Sequence, residues 1–165
     1  MNKLKYVQLC KEDVAQCKAA QQLWLPFIQE MNAHDGIVET ETQIMAELNK
    51  RIAIQGKRQN MHFELAYSEN EPVGIAMFAI DTGTLYGLLE KGHGTALEMY
   101  ICPEYRGKGY GRQFWEHAES VLREDGATKF YVCPDTVTGI PFWKKMGFSD
   151  SGKVDPDVNK AIYTK

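Results

Sequence analysis

The sequence predicts one α+β domain, in which a mixed and mostly antiparallel sheet carries helices on both faces. Short segments of alternating apolar and polar residues predict strands, and longer segments with apolar residues at helical spacing predict helices. Neither an internal repeat nor a linker separates these segments. With 165 residues, of which 44% are apolar, the chain has enough apolar side chains for one core. We therefore expect residues 1–165 to form a single domain.

The N-terminal part of the sequence predicts one strand and two helices. Residues 6–9 are a short strand candidate, and apolar residues at helical spacing over 14–31 predict a first helix that is interrupted near Pro26. Thr40, followed three residues later by Gln43, is typical of a capping box and predicts where the second helix begins.

The middle of the sequence predicts three strands. Residues 61–67 alternate in polarity, and a turn at 69–72 leads into the apolar segment 73–80, which indicates a hairpin. Residues 81–94 contain four glycines and form either an extended loop or a long hairpin with an irregular tip. Residues 96–101 are apolar except for Glu98, which is typical of a central strand.

The C-terminal part predicts two helices and three strands. The first helix has a buried stripe that ends before Gly126, made of Phe114, Trp115, Ala118, Val121 and Leu122. A strand at 128–132 and a second helix follow. Gly147 and Phe148 then lead into a final strand pair, which turns at residues 155–157.

Composition and charge argue against several classes of protein. A net charge of −3 argues against broad binding to nucleic acid or to acidic membranes. The cysteines show no paired spacing, so no metal site is expected; they are Cys10, Cys17, Cys102 and Cys133. The polar residues after Met1 and the lack of a long apolar run predict a cytoplasmic protein with reduced thiols.

A glycine-rich segment joins the predicted central strand to the next helix. Gly107, Gly109 and Gly111 stand at alternate positions, where missing Cβ atoms let backbone N–H groups converge on an anion. The positive end of the helix adds about 0.3–1 kcal/mol for each charge interaction. Glycines here also allow a helix to pack closely on a strand. The spacing fits neither the P-loop nor the dinucleotide-binding fingerprint.

The segment Arg106-x-x-Gly109-x-Gly111, preceded by Ile101-Cys102-Pro103-Glu104-Tyr105, resembles the acetyl-CoA signature of the GNAT superfamily of N-acetyltransferases. The later segment Phe142-Trp143-Lys144-Lys145-Met146-Gly147-Phe148 is similar to a second marker of that family. Both markers occur in the order of the family and together cover the C-terminal half of the chain.

The resemblance implies that acetyl-CoA is the co-substrate, without a metal, and that an amine attacks the thioester directly in a ternary complex. The pantetheine arm would run beside Met99 to Ile101, and the backbone N–H near Ile101 would hold the oxyanion. The implied cofactor-binding residues are Met99, Ile101, Arg106, Gly107, Lys108, Gly109, Tyr110, Gly111, Arg112 and Trp143. Lys144 and Lys145 add to a local positive patch with the basic residues of this set, or are solvated surface charges.

Two proton transfers accompany this reaction. Glu98 interrupts the central strand beside the acetyl site and is the candidate general base; alternatively it faces solvent or pairs with a basic side chain, and a water chain removes the proton. Tyr100 lies on the same strand face and would shape the acceptor site or hydrogen-bond to the acceptor. Trp143 stands where the family often has a tyrosine acid, which leaves the thiolate to take its proton from water.

The histidines show no spacing typical of a metal site and are expected at the surface or in loops, with His117 facing outward; they are His34, His62, His93 and His117. Tyr131 and Cys133 are expected near the split between strands, as site or core residues.

The predicted acceptor is a small-molecule or peptide amine, recognised by the two N-terminal helices and the 81–94 loop. Acidic residues near the connection between these helices indicate either a cationic acceptor or a solvated acidic face; they are Glu30, Asp35, Glu39 and Glu41. A non-catalytic acetyl-CoA-binding regulatory module and an enzyme for a longer acyl-CoA are the alternatives. A homodimer through the C-terminal strands is consistent with the family.

Overall fold

The computed structural model describes residues 2–83 and 90–165, and these form a seven-stranded sheet. The strands are β1 (Lys5–Gln8), β2 (Met61–Ser68), β3 (Glu71–Ile80), β4 (Gly94–Ile101), β5 (Phe130–Val132), β6 (Ser149–Val154) and β7 (Ala161–Thr164). Their spatial order is β1-β2-β3-β4-β5-β7-β6. Among these described strands only β4 and β5 pair in parallel, so the sheet is mixed and mostly antiparallel, as the sequence predicts.

Four α-helices in the described chain cover the two faces of this sheet. They are α1 (Val14–Asp35), α2 (Glu41–Ile54), α3 (Tyr110–Glu124) and α4 (Gly139–Lys145). Helices α1 and α2 share one apolar cluster with the sheet, and α3 and α4 share the other. The domain is therefore α+β with two cores, one on each face of the sheet. No helix in the described ranges is both long and apolar enough to cross a membrane.

The predicted interruption of the first helix at Pro26 is wrong, because α1 continues through it. Pro26 lies on the exposed side of the helix, and proline removes only one hydrogen bond of the helix backbone. The neighbouring side chains Leu23, Trp24 and Phe27 are buried against the sheet and hold both halves of the helix in line. The predicted capping box at Thr40 and Gln43 is confirmed, and it begins α2.

The hairpin between β2 and β3 is confirmed, with a tight turn at Glu69 and Asn70. The connection between β3 and β4 begins at Asp81, whose buried carboxylate accepts a hydrogen bond from the Tyr131 hydroxyl at 2.9 Å. Residues 84–89 lie outside the described part of the chain, so the prediction for the 81–94 connection can be compared only at its two ends.

The sheet opens between β4 and β5. These strands pair only at Gly94 with Phe130 and at Thr95 with Tyr131. Beyond Thr95, β4 continues for six residues along β3, while the other partner of β5 is β7. A bulge opposite Met77 and Phe78 places Leu97 as an extra residue in β4. The free side of residues 96–101 therefore faces a cleft in the middle of the sheet.

Candidate active site

The glycine-rich segment leads from β4 into α3 through a short 3-10 turn at Pro103–Tyr105. Gly107 and Gly109 have φ angles of 74° and 80°, in the left-handed region that favours glycine. Gly109 is the N-cap of α3, and no side chain in the described chain caps this helix. The first N–H groups of α3 therefore point out of the helix end, where an anion is favoured.

Gly111 has a different role from the two glycines before it. A Cβ atom at this position would lie 3.0 Å from the ring of Phe142 in α4. The missing side chain therefore lets α3 and α4 approach each other closely. The packing interpretation of the glycine pattern therefore holds at Gly111, while Gly107 and Gly109 shape the turn before α3.

The side chain of Arg106 turns away from the helix end and toward α1. Its Nε donates a hydrogen bond to the carbonyl oxygen of Ile101 at 2.8 Å. Its two terminal nitrogens donate to the carboxylate of Glu30 at 2.9 and 2.7 Å. The guanidinium also lies over the ring of Tyr100, 5.3 Å from its centroid. Arg106 thus joins the glycine-rich segment to α1, which covers the other face of the sheet.

Neighbouring residues of β4 face opposite sides of the sheet. Tyr100 packs with the α1 and α2 core, and Glu98 also points to that side, where its carboxylate pairs with Arg51 of α2 at 3.1 Å. Met99 and Ile101 belong to the α3 and α4 core. The expectation that Glu98 and Tyr100 share one strand face therefore agrees with the contacts of both side chains.

The carboxylate of Glu98 lies in an environment that disfavours its charge. Burial raises the pKa of Glu98, while the charges of Arg51 and Lys160 oppose the rise. Its side chain is still 23% exposed, so a proton can reach it from the cleft. Arg51 is itself held by Glu47 at 3.3 Å and by the Trp24 ring, 4.9 Å from its centroid. A carboxyl group with a raised pKa at the edge of a cleft is a candidate acid or base.

Tyr100 and the cysteines near the cleft are held in their protonated forms. Burial raises the pKa of Tyr100 to about 12, so its hydroxyl can donate a hydrogen bond at neutral pH. Burial also raises the pKa of the Cys102 and Cys133 thiols to about 11. Because the thiolate is the reactive form of cysteine, neither thiol is activated as a nucleophile.

Trp143 lies in an aromatic cluster beneath α3. Its side chain is only 6% exposed, and its ring lies 5.0–5.1 Å from the rings of Trp115, Phe142 and Phe148. Through Phe142 this cluster continues to Gly111 at the beginning of α3. Trp143 thus supports the glycine-rich segment from below, while Lys144 and Lys145 beside it are exposed.

Two ion pairs and one hydrogen bond between a histidine and an aspartate connect the last two turns of α1 to the C-terminal half of the chain. Besides the pair of Glu30 with Arg106, His34 lies 3.1 Å from Asp135, in the loop after β5. Asp35 accepts from Lys160, in the turn between β6 and β7, at 3.0 Å. The sequence gives no signal for these pairs, because their members are 76, 101 and 125 residues apart.

The loop after β5 is organised around Asp135. Burial alone would raise the pKa of its carboxyl, but backbone N–H donors of Thr138, Val137 and Gly139 outweigh that effect and hold the pKa below its usual value. Because Asp135 stays ionised, it holds both the beginning of α4 and the side chain of His34. The end of α1 therefore reaches both sides of the cleft.

The prediction that His117 faces outward is wrong. Its Nε2 lies 2.6 Å from the carboxylate of Glu64, which is 7% exposed, and its ring stacks on Tyr6 with centroids 3.8 Å apart. His62 likewise pairs with Asp125 at 2.6 Å. Both pairs join β2 to α3 or to its C-cap, on the face of the sheet away from Glu98. They therefore contribute to the packing of α3 on the sheet and not to the candidate site.

Comparisons with known proteins agree with this arrangement. A model of the acetyltransferase (GNAT) family matches residues 21–148. No curated protein matches the chain. The fold is similar to that of PaiA N-acetyltransferase from Thermoplasma acidophilum in complex with coenzyme A, at 16% identity and a TM-score of 0.70, with 98% of each chain covered.

Two further solved structures are similar in fold. One is an acetyltransferase from Thermus thermophilus, at 18% identity and a TM-score of 0.72, with 100% of this chain and 99% of that chain covered. The other is an aminoglycoside 6'-N-acetyltransferase from Acinetobacter haemolyticus, at 18% identity and a TM-score of 0.63, with 93% and 94% covered. At these identities the likeness concerns the fold.

Proposed function

Since the chain belongs to the GNAT family of acetyltransferases, we propose that it transfers an acetyl group from acetyl-CoA to an amine by direct attack in a ternary complex. The observation that carries the proposal is the joining of three features in one cleft. These are a helix end shaped by glycines, the unpaired side of β4, and a carboxylate with a raised pKa two residues before Tyr100.

The cofactor would bind mainly to backbone atoms. Its pyrophosphate fits the N–H groups of residues 107–112, where the end of α3 favours an anion. Its pantetheine arm fits the unpaired side of Met99 to Ile101, as an added strand would. The complex of the Thermoplasma protein with coenzyme A supports the choice of cofactor. Among the described residues no cluster of His, Cys, Asp or Glu is arranged to hold a metal ion.

In the proposed reaction, Glu98 removes a proton from the acceptor ammonium, directly or through water, and the amine nitrogen attacks the acetyl carbonyl carbon. The backbone N–H near Ile101 donates to the oxygen that becomes negative. When the C–S bond breaks, the coenzyme A thiolate takes a proton from water, and the nitrogen gives up its second proton to the hydroxide that this leaves, so that the neutral amide forms. Tyr100 donates a hydrogen bond that orients the acceptor.

The protonated thiols of Cys102 and Cys133 support direct transfer over an acetyl-cysteine intermediate. A covalent route needs an activated thiolate. Burial disfavours that form at both positions, so the amine of the acceptor is the better nucleophile in this cleft.

Two experiments test the proposal. The first is calorimetry with acetyl-CoA, and the second is an assay of thiol release with aminoglycosides, polyamines, amino acids and short peptides as acceptors. We expect micromolar binding and release of coenzyme A with at least one acceptor class. Tight binding without release across the whole panel would instead favour a regulatory module. The burial of Trp143, which stands at the usual position of the acid, supports this alternative. Failure to bind acetyl-CoA would overturn both.

A further inference from the structure

Two cysteines lie side by side where the chain passes from β1 into α1. Cys10 follows β1, and Cys17, seven residues later, lies in the first turns of α1. The Cys17 thiol is 3.7 Å from the carbonyl oxygen of Cys10 and 3.6 Å from that of Lys11. Because a carbonyl oxygen is about 2.4 Å from the Cα atom of its own residue, the Cys17 sulfur is within about 6 Å of the Cys10 Cα atom.

The backbone of Cys10 is fixed against the beginning of α1 at both of its polar atoms. Its N–H donates to the side-chain oxygen of Gln16 at 2.8 Å, and its carbonyl oxygen accepts from the N–H of Asp13 at 3.1 Å. Asp13 is the N-cap of α1, and its own carbonyl oxygen accepts from the N–H of Cys17 at 3.0 Å. Side-chain rotation therefore moves the two sulfur atoms relative to each other while the backbone stays in place.

The Cys10 thiol is accessible from solvent, whereas that of Cys17 is half-buried. Cys10 donates to the carboxylate of Glu12 at 3.2 Å, so an acceptor for the thiol proton lies beside the sulfur. A cleft of about 340 Å³ opens at the same place, between the segment after β1 and the end of α2, where Ile52 and Gln55 line it. A small oxidant can therefore reach Cys10 first, with Cys17 next to it.

The other two cysteines have a different environment. Burial raises the pKa of the Cys102 and Cys133 thiols to about 11. Since the thiolate is the form that reacts with an oxidant, both are poor targets at neutral pH. They provide a comparison within the same molecule for the pair at the beginning of α1.

We propose that Cys10 and Cys17 are a modification site for hydroperoxides and form a disulfide with each other, independently of acetyl transfer. The Cys10 thiolate attacks one oxygen of hydrogen peroxide, the O–O bond breaks, and the products are a sulfenic acid and, after uptake of a proton, water. The Cys17 thiolate then attacks the Cys10 sulfur, the S–O bond breaks, and the hydroxide that leaves takes up a proton. In sum, two thiols and one peroxide give one disulfide and two waters.

Peptide mapping of the reduced protein after treatment with hydrogen peroxide tests the proposal. Remaining thiols are alkylated, and trypsin then cuts after Lys11, which places the two cysteines in the separate peptides 6–11 and 12–18. We expect these peptides to be joined, with a mass two hydrogens below their sum, and to separate on reduction. The peptides that contain Cys102 and Cys133 should still carry the alkyl group.

Single variants separate the two steps of the reaction. Cys17→Ser should keep the sulfenic acid at Cys10, which dimedone traps, because no second thiol resolves it. Cys102→Ser is the matched control and should give the joined peptides in the same yield as the unaltered protein.

Three results would overturn the inference. They are free thiols at both positions after peroxide treatment, a sulfenic acid at Cys10 that persists in the unaltered protein, and a disulfide that joins Cys10 of two molecules. None of these results bears on acetyl transfer, which uses neither cysteine.

Discussion

The glycine-rich segment and the end of α1 are held in place in opposite ways. The segment from Ile101 to Arg112 is continuous in the chain, and its capacity for an anion comes from backbone N–H groups and left-handed glycines. The end of α1 is held instead by contacts with residues that are far away in the chain, namely Arg106, Asp135 and Lys160. We therefore propose that cofactor binding depends on a local property of the chain, whereas acceptor selection depends on the packed fold.

This difference separates two kinds of sequence change. In the proposed binding mode, a substitution in the segment acts through the backbone conformation, so the identity of most side chains there matters little for phosphate binding. A substitution at the end of α1 changes the contacts that hold this helix to the C-terminal half of the chain. We expect the two regions to respond independently, and each of the following variants tests one side of that comparison.

The largest effect is expected for Gly109→Val. A β-branched residue is strained at the φ angle of 80°, so it would change the backbone conformation that presents the first N–H groups of α3. Loss of two charge-assisted hydrogen bonds would weaken acetyl-CoA binding about 100-fold or more. Gly56→Val is the matched control, because Gly56 has a φ angle of 77° and open space around it. Equal loss of acetyl-CoA affinity in both variants, measured by calorimetry, would contradict the assignment of the segment.

Glu98→Gln should lower kcat by about 100-fold without changing acetyl-CoA affinity, since general-base catalysis typically contributes this much or more. The base must be ionised to accept a proton. Because burial raises the pKa of Glu98, activity of the unaltered protein should fall on acidification at a higher pH than an ordinary carboxyl would give. The variant should lose this acidic limb of the pH–rate profile. A profile that keeps the same limb would remove Glu98 from the mechanism.

Arg51→Gln should shift the acidic limb to higher pH. Without the guanidinium 3.1 Å away, burial of Glu98 is less opposed and its pKa rises further. Activity below the limb should fall about tenfold, while activity at alkaline pH stays near that of the unaltered protein. Lys50→Gln removes an exposed neighbouring cation and serves as the control. A uniform loss of activity at every pH would indicate a structural role for Arg51 instead.

The smallest effect is expected for Glu30→Gln. The pair of Glu30 with Arg106 is partly exposed, at 22% and 36% of the two side chains, and such pairs stabilise folding by about 0.2–1 kcal/mol. The Tm should fall by about 1–4 °C. Acetyl-CoA affinity should stay within about threefold, because the phosphate contacts come from backbone. A larger change in affinity, in either direction, would show that the acceptor side and the cofactor side are coupled through Arg106.

Most elements of the fold could be predicted from local patterns. The capping box of α2, the buried stripe of α3 and the hairpin of β2 and β3 lie where their residue periods place them. The two errors have a tertiary cause. Burial of the residues around Pro26 keeps α1 continuous, and the buried carboxylate of Glu64 draws His117 toward the sheet.

The same distinction between local pattern and tertiary contact applies to the candidate site. The sequence alone determines the glycine turn. It also determines the alternation along β4 that puts Glu98 and Tyr100 on one face, because backbone conformation and strand period are local properties. Tertiary structure decides that Arg51 faces Glu98, that Arg106 binds Glu30, and that Lys160 binds Asp35. No local pattern encodes such contacts, because they form only when segments distant in the chain are packed on a common sheet.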